Sequence, residues 1–375
     1  MKDIIESILE SILPPIPNRK DWRIGCIGAG FIMSDCHLVA YREFGLNPIA
    51  ITSRTRKKAD ETAKRHGITK VYDTWIELLQ DDSIEILDIA IPPHEQLTVI
   101  REAVKHKNIK GILCQKPLAM TLDDAKEIVK IAKDSGIALA VNSNMRYDQS
   151  MRALKYLLDK NLLGKPVLAT IEMRAIPHWQ DFLKDYDKLE LYGMGIHHID
   201  IFRFLFGNPV KITAICRKDP RTSFTHLDGI TQYTFKYDNE MIASSLDDVW
   251  AWPNSPCEKD MYIKWRVEGE EGMATGSIGW PSYPLREPST LRFTSHYFPN
   301  KWIEPQWEQV WFPDAFKGTM SSLLVAIENG EIPEICGEDN LFTIACVEAC
   351  YRSISEERTV ALKEIYNGER GVIYD

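Results

Sequence analysis

The residues of this sequence best suited to catalysis are a lysine at the end of an apolar run and a histidine in a helical segment. Lys116 stands directly before Pro117 and follows the run Gly111–Cys114, which predicts the carboxyl end of a buried strand. In an open α/β sheet that edge faces the ligand crevice. His197 lies in the segment 196–206, and an imidazole exchanges protons near neutral pH. A surface lysine and a core histidine are the alternative interpretations.

Two glycines near the start of the chain have the placement of a dinucleotide-binding turn. Gly28-Ala29-Gly30 follows the strand-like run Arg23–Ile27 and opens a helical segment. Glycine at 28 permits a tight turn, and glycine at 30 lets a pyrophosphate approach the backbone at a helix N-terminus. Met33 replaces the third glycine of the full motif, so a plain tight turn is the alternative.

The end of the second strand bears on the choice between NAD and NADP. The run Pro48–Thr52 is followed by Ser53 and Arg54, where an NAD enzyme usually has an acidic residue for the ribose hydroxyls. A hydroxyl and a guanidinium suit a 2′-phosphate, because arginine binds phosphate with a planar fork. The pair favours NADP, with stacking of the arginine on adenine as the alternative.

Strand-like and helical segments alternate over the first part of the chain, which predicts a parallel, doubly wound sheet. The strand-like runs are Arg23–Ile27, Pro48–Thr52, Ile86–Ile91, Gly111–Cys114 and Ile137–Val141. The helical stretches between them are 32–44, 56–66, 95–106 and 122–134. We therefore expect a Rossmann domain at 22–145, preceded by an amphipathic arm at 1–21 that either caps its own domain or reaches another subunit.

The rest of the chain, 146–375, predicts an α+β domain with an open, mostly antiparallel sheet. After a helix at 149–160, strand-like runs follow one another with one further helix near 196–206: 166–174, 210–216, 230–236, 241–246 and 262–267. The final helices, near 320–329 and 340–355, are expected to pack back on the Rossmann domain.

Apolar residues in two of these strands predict self-association. Strands 230–236 and 262–267 are expected to carry apolar and aromatic residues on both faces, so one face would stay exposed in a monomer. Large exposed apolar patches mark interfaces, and a two-fold contact between sheets would bury this one. We expect a homo-oligomer, a dimer or a tetramer, formed through the C-terminal sheet.

The composition of the 375 residues argues against several classes of protein. Lysine and arginine number 45 against 54 acidic residues, a net charge of −9, so a nucleic-acid binder is not expected. No apolar run is long enough to suggest a membrane span, and the N-terminus lacks a signal-peptide pattern. The eight cysteines are scattered, as expected for free thiols in the cytoplasm, and no metal site is predicted.

Motifs spread over nearly the whole chain after residue 21 resemble those of the glucose-fructose oxidoreductase and inositol dehydrogenase (Gfo/Idh/MocA) family. In family order they are Gly28-Ala29-Gly30, Pro92-Pro93-His94, Gln115-Lys116-Pro117, Asn142–Tyr147, Gly195-Ile196-His197-His198-Ile199-Asp200, Gly269–Gly272 and Val347–Ser353. It is their joint order that carries the resemblance.

The resemblance implies bound NAD or NADP and catalysis by Lys116 and His197. Lys116 would hydrogen-bond the reacting hydroxyl, and His197 would accept its proton during oxidation. Two residues depart from the family pattern: Gln115 stands where members usually have glutamate, and Gly193 where they often have an aspartate four residues before the histidine. Either another acid assists, or Lys116 and His197 act without it.

The other expected site residues form two groups. The expected cofactor-binding residues are Gly28, Gly30, Phe31, Ile32, Ser53, Arg54, Pro92, His94, Gln115 and Asn144. The expected substrate-binding residues are Arg146, Tyr147, Trp179 and Asp200.

The expected activity is hydride transfer between the nicotinamide and a ring or chain hydroxyl of a sugar, polyol or glycoside. Two alternatives stay open. The first is glycoside cleavage without net redox change, in which bound NAD transiently oxidises the substrate and so allows elimination, as in relatives of this fold. A non-catalytic dinucleotide-binding regulator is also compatible with Gln115 and Gly193 in place of acids.

Overall fold

The computed structural model describes residues 2–174, 181–249, 253, 255–258, 260–280 and 285–367. The chain divides into two compact units. The parallel-sheet unit comprises Pro14–Tyr147 and Phe312–Leu341. The mixed-sheet unit comprises the described residues of Met1–Leu13, Asp148–Trp311 and Phe342–Glu369.

The parallel-sheet unit is built on six strands that all run in the same direction. They are β1 (Arg23–Ile27), β2 (Asn47–Thr52), β3 (Lys70–Tyr72), β4 (Ile86–Ile89), β5 (Gly111–Cys114) and β6 (Ala138–Val141). Their order is β3-β2-β1-β4-β5-β6, and every adjacent pair is parallel. Every residue of β4 and β5 is buried, as expected for a sheet covered on both faces. The predicted Rossmann sheet is confirmed.

Helices connect these strands and continue into the second unit. In chain order they are α1 (Lys2–Ser11), α2 (Leu38–Phe44), α3 (Arg56–His66), α4 (Trp75–Leu79), α5 (Pro93–Ala103), α6 (Leu122–Asp134), α7 (Gln149–Asp159), α8 (Ile196–Phe206), α9 (Ala315–Asn329) and α10 (Gly337–Glu356). π-Helical turns at Ile32–His37 and Leu191–Gly195 lead directly into α2 and α8. No helix among the described residues is long and apolar enough to cross a bilayer.

The mixed-sheet unit contains an eight-stranded sheet that is antiparallel except at one pair. Its strands are β7 (Pro166–Arg174), β8 (Lys211–Arg217), β9 (Ile230–Lys236), β10 (Ile242–Asp248), β11 (Tyr262–Gly269), β12 (Gly272–Ser277), β13 (Thr290–Ser295) and β14 (Val360–Ala361). The order is β13-β12-β11-β7-β10-β9-β8-β14, with β7 and β10 parallel. The predicted α+β domain with a mostly antiparallel sheet is confirmed.

The expectation of apolar residues on both faces of β9 and β11 is met on the second face by one half-buried residue in each strand, Ile230 and Tyr262. In β9, Tyr233 and Phe235 are fully buried on one face, while Gln232, Thr234 and Lys236 occupy the other. In β11, the apolar residues Ile263, Trp265 and Val267 are likewise buried together. Because side chains alternate strictly along a strand, these two strands have one apolar and one mixed face.

The terminal segments also differ from the sequence-based division. Ile8 and Ile12 of the N-terminal segment are buried, and α1 packs on α7 within the mixed-sheet unit, so the helix caps its own unit. Helix α9 packs on β5 and β6 in the parallel-sheet unit, whereas α10 belongs to the mixed-sheet unit from Phe342 onward.

Candidate active site

The turn after β1 can be occupied only by glycine at its first position and leaves open space at its third. Gly28 has φ +108°, and a Cβ there would lie 2.2 Å from the carbonyl oxygen of Ala90. A Cβ on Gly30 would meet no heavy atom within 4 Å, and Gly30 is exposed. Phe31 and the half-buried Ile32 follow at the start of the helical residues. Bare backbone at a helix N-terminus fits a pyrophosphate.

Several expected cofactor-binding residues lie at the same edge of this sheet. Ser53 and Arg54 follow β2, Pro92 and His94 follow β4, and Gln115 follows β5. The carboxyl ends of parallel strands share one edge, and the strand order reverses between β1 and β4, which is where such sheets bind dinucleotides. The residues present therefore fit a dinucleotide.

The basic residues after β2 differ in their availability to a ligand. Arg54 is exposed, with Nη1 3.7 Å from Glu95 Oε1, and His94 Nε2 is 3.7 Å from the same oxygen. Arg56, by contrast, binds Asp60 at 2.9 Å and Asp73 at 2.5 Å. Arg54 therefore has one long contact, to Glu95, where Arg56 has two short ones, and its guanidinium is the more available of the two to a ligand.

A buried chain of hydrogen bonds connects the helix after the glycine turn to the residue before Lys116. Asp88 of β4 binds His37 Nδ1 at 2.7 Å and accepts from the Tyr41 hydroxyl at 2.6 Å. Asn142 Nδ2 lies 3.0 Å from His37 Nε2 and donates to Gln115 Oε1 at 3.1 Å. We call His37, Tyr41, Asp88, Asn142 and Gln115 the sheet-edge network; apart from the half-buried Gln115, these residues are 0% exposed.

The sheet-edge network ends on the backbone of Lys116. Gln115 Oε1 accepts a hydrogen bond from the Lys116 N–H at 3.0 Å, and Gln96 Nε2 donates to the carbonyl oxygens of Gln115 and Pro117. The Lys116–Pro117 peptide bond is cis. Gln115 Nε2 is buried with no hydrogen-bond partner among the described residues, so it can donate to an acceptor on a ligand.

Lys116 itself has an altered acidity. Its side chain is half-buried, and desolvation of the ammonium lowers the pKa of Lys116 to about 8. A lysine with that pKa donates a hydrogen bond at neutral pH and can release its proton just above it.

The residues after β6 are held by structural contacts. Asn144, Arg146 and Tyr147 lie in a buried 3₁₀ turn. Arg146 Nη2 donates to Asp339 Oδ2 at 2.5 Å, and Nη1 donates to the Glu334 carbonyl at 3.2 Å. The Tyr147 ring packs on Gly318, where a Cβ would lie 2.3 Å from the ring. These contacts explain their burial, and a substrate role for Arg146 and Tyr147 stays a prediction.

In the mixed-sheet unit, the adjacent histidines of α8 have different surroundings. His197 is 4% exposed and meets the ring of Trp311 edge-on, with centroids 5.8 Å apart. His198 is fully buried, and its Nδ1 is 3.0 Å from Asp247 Oδ1. Asp200 accepts from the Thr343 hydroxyl at 2.9 Å, which ties α8 to α10. Trp179 lies outside the described residues.

Gly193 stands where related sequences often have an aspartate, and the surrounding structure has room for a side chain at this position. A Cβ on Gly193 would meet no heavy atom within 4 Å. A buried acid that sequence reasoning left without a role, Glu190, does lie beside this turn, with its carboxyl oxygens 2.9–3.0 Å from the Cβ position of Gly195. Among the described residues, no group of three or more histidine, cysteine or acidic side chains is arranged to hold a metal ion.

Comparison with known proteins agrees with this architecture. A family model described as the oxidoreductase family with an NAD-binding Rossmann fold matches residues 22–143, and the model of its C-terminal alpha/beta domain matches 155–362. The chain is similar to D-apiose dehydrogenase of Paraburkholderia graminis, with 26% identity over 92% of this chain and 91% of that one.

Solved structures share the fold. An oxidoreductase from Agrobacterium radiobacter, in complex with NAD⁺, L-tartaric acid and magnesium, has a TM-score of 0.79 at 22% identity, covering 92% of this chain and 100% of that one. An aldose-aldose oxidoreductase from Caulobacter crescentus, complexed with glycerol, has a TM-score of 0.77 at 20% identity, covering 91% and 99%. With both domain models matched in order, the chain belongs to the Gfo/Idh/MocA family of oxidoreductases with an NAD-binding Rossmann fold.

Proposed function

We propose that this protein transfers a hydride between a nicotinamide cofactor and a ring or chain hydroxyl carbon of a sugar, polyol or glycoside. The observation that carries the proposal is Lys116, whose ammonium has a lowered pKa at the carboxyl edge of a dinucleotide-type sheet. Similarity to D-apiose dehydrogenase supports a carbohydrate substrate. The protein is proposed to act in the cytoplasm, in keeping with its eight free cysteines.

The edge of the parallel sheet supports a place for each part of the cofactor. The turn Gly28–Gly30 with Phe31 and Ile32 would hold the pyrophosphate, Ser53 and Arg54 the adenosine ribose, and Pro92, His94, Gln115 and Asn144 the remainder. When bound, the nicotinamide accepts or supplies the hydride. The buried donor Gln115 Nε2 supports this arrangement, because an acceptor on the cofactor would give it a partner.

Two side chains would handle the substrate oxygen. Lys116, protonated below about pH 8, would donate a hydrogen bond to the oxygen and stabilise negative charge that develops there. His197 would accept the hydroxyl proton during oxidation and return it during reduction. Arg146, Tyr147, Trp179 and Asp200 are proposed to contribute to substrate binding.

The experiment that tests the proposal is a panel of aldoses, polyols and glycosides with NAD⁺ and NADP⁺, followed by absorbance of the reduced cofactor. Accumulation of reduced cofactor with one class supports hydride transfer to a free cofactor. Release of free sugar from a glycoside without reduced cofactor would instead indicate cleavage by transient oxidation. Dinucleotide binding with no turnover over the whole panel would indicate a regulator.

Cofactor preference gives a prediction at Arg54. If its guanidinium binds a 2′-phosphate, Arg54→Ala should weaken NADP binding by about 1–3 kcal/mol and NAD binding less. Fluorescence titration with each reduced cofactor measures both affinities. The control is Lys57→Ala, because Lys57 is exposed in α3 and lies 3.9 Å from Glu61, one helical turn away. An equal loss for both cofactors would mean that Arg54 only stacks on adenine.

We also propose that the protein is a homo-oligomer formed through the eight-stranded sheet. The outer face of this sheet carries apolar side chains, among them Ile215, 64% exposed, and Ile242, 42% exposed. A two-fold contact between two copies of the sheet would bury these exposed apolar side chains. Light scattering should give a mass of two or four chains, and Ile215→Asp should lower it. A stable 43.0 kDa species would show that the sheet faces water.

A further inference from the structure

Four ionisable side chains lie together in the core of the mixed-sheet unit, behind the helix that carries His197. Glu190, His198, Asp228 and Asp247 are each at most 1% exposed. We call these four residues the inner acid cluster. It contains three carboxyl groups and one imidazole, and no described lysine or arginine forms an ion pair with any of the three acids within 4 Å.

The carboxylates of the cluster differ in the number of hydrogen bonds that they accept. Asp228 accepts hydrogen bonds from the backbone N–H groups of Leu189 and Leu191, at 2.7 and 3.0 Å, and from the Tyr351 hydroxyl at 2.6 Å. Asp247 Oδ1 binds His198 Nδ1 at 3.0 Å and accepts from the Ser245 hydroxyl at 2.9 Å. Asp247 Oδ2 and His198 Nε2 have no partner among the described residues.

Glu190 is the member least able to carry a charge. Burial, and then the negative charge of Asp247, raise the pKa of Glu190 well above its ordinary value. The Thr231 hydroxyl, which donates to Glu190 Oε2 at 2.5 Å, opposes this rise without reversing it. Like charges held close together in the core resist ionisation, and Glu190, whose pKa is raised well above its ordinary value, is the group that retains a proton.

The cluster holds the residues on both sides of His197. The Glu190 carboxyl lies against Gly195, two residues before the histidine, and the Tyr233 hydroxyl donates to the Gly195 carbonyl at 3.3 Å. Asp228 fixes Leu189 and Leu191 at the start of the π-helical turn. His198, directly after His197, is anchored to Asp247. The rotation of α8 about its axis is therefore set from inside the core.

We propose that Glu190 is a positioning residue for the proposed reaction, which holds the turn Leu191–Gly195 against the sheet and so fixes the orientation of the His197 imidazole. It does not contact the substrate, because its carboxyl is enclosed by the core. The family position four residues before His197 is a glycine in this chain, and Glu190 supports the histidine from behind that turn. The expected effect on turnover rests on the proposed function, whereas the positioning of His197 by Glu190 does not.

The first test compares Glu190→Gln with Glu190→Ala. Glutamine keeps the size of the side chain and its contact with Gly195, so turnover should stay within about threefold of wild type. Alanine removes the contact, and turnover should fall about tenfold or more with dinucleotide affinity unchanged. Thr231→Val, which removes the hydroxyl donor without opening a large cavity, is the milder variant if Glu190→Ala does not fold, with an expected turnover about threefold or more below wild type.

The second readout needs no substrate. In protein labelled with ¹³C at the histidine ring, the His197 signal is assigned by its loss in His197→Gln. It should shift or broaden in Glu190→Ala and return to its wild-type position in Glu190→Gln. Asp219→Asn is the control, since Asp219 is a fully buried acid of the same unit that binds Arg221, and it should leave the His197 signal in place.

The pH dependence of stability supplies a third readout. The titratable groups that face Glu190 are Asp247 of β10 with its partner His198, Asp228, Tyr233 of β9, Cys216 of β8, and Cys350 and Tyr351 of α10. A raised folded-state pKa means that the folded protein holds a proton the unfolded chain has lost. Wild-type stability should therefore fall relative to Glu190→Gln as the pH rises above the ordinary pKa range of a glutamate. It should not fall relative to Asp219→Asn, because the pKa of Asp219 is lowered.

These outcomes separate this inference from the proposed function. A His197 signal unchanged in Glu190→Ala overturns the positioning role, whatever the activity. A wild-type protein that gains stability relative to Glu190→Gln as the pH rises overturns the description of Glu190 as the proton-retaining member. If the signal and the stability behave as expected but no sugar is turned over, the proposed function fails and the architecture of the cluster stands.

Discussion

Replacing Lys116 with alanine is expected to lower kcat by about 10²-fold or more while leaving dinucleotide affinity nearly unchanged. The ammonium would stabilise negative charge on the substrate oxygen, and that charge is larger in the transition state than in the bound alcohol. The loss should thus appear in kcat more than in KM. Steady-state kinetics give kcat, and quenching of protein fluorescence gives the dinucleotide affinity.

The pKa of Lys116 adds a pH signature to the same prediction. Because burial lowers that pKa to about 8, the protonated form is present below about pH 8 and is lost above it. In the wild type, kcat should decline on the alkaline side near that value. In Lys116→Arg, whose guanidinium stays charged, any remaining activity should decline only at higher pH. A Lys116→Ala protein with near wild-type turnover would remove this lysine from the mechanism.

The second large effect is expected at His197. His197→Ala should also reduce kcat by about 10²-fold or more, since removal of a positioned base typically costs that much. Dinucleotide affinity should be preserved, because the glycine turn and the sheet edge belong to the other unit. The measurements are those used for Lys116, and they should be made for both reaction directions.

His226→Gln is the matched control for that experiment. His226 is 3% exposed, belongs to the same unit as His197, and lies 3.1 Å from the Asp219 N–H outside α8. It should show the general cost of replacing a buried histidine in this unit, with kcat close to wild type. If both variants lose activity to the same extent, or neither does, His197 has no specific part in proton transfer.

The parallel sheet was predictable because its strands are buried on both faces. A continuous apolar run such as Ile86–Ile89 or Gly111–Cys114 is what that burial requires, and glycines and helical segments separate the runs. The short strand β3 was missed since its three residues are half-exposed at the sheet edge. Strand β12, Gly272–Ser277, was missed because glycine, serine and threonine give no apolar alternation.

The candidate site was predictable where motifs are local. Gly28, Lys116 and His197 each lie at the end or start of an element that the sequence marks, so their placement followed from the pattern. The inner acid cluster joins Glu190 and His198 to Asp247, far along the chain on β10. An isolated glutamate in a sequence normally indicates an exposed position, and nothing near Glu190 indicates otherwise.

The sheet-edge network did leave one signal in the sequence. Asp88 interrupts the apolar strand Ile86–Ile89, and a lone carboxylate in a buried strand requires hydrogen-bond donors from neighbouring elements. Its partners, His37 and Tyr41, are four residues apart in the helical segment after the glycine turn. Their identity depends on how that helix crosses β4, which the local pattern does not specify.

The sheet-edge network determines which segments of the parallel-sheet unit can be replaced singly by those of a related protein and which must be replaced together. Ser53 and Arg54 lie at the end of β2, outside the chain of bonds that runs from Asp88 to Gln115. The segment proposed to distinguish NAD from NADP can therefore be replaced by that of a relative without changing the hydrogen bonds that reach Lys116. A replacement that includes β4 or β6 must keep both Asp88 and Asn142. If only one of them were kept, a buried polar group would lose its hydrogen-bond partner.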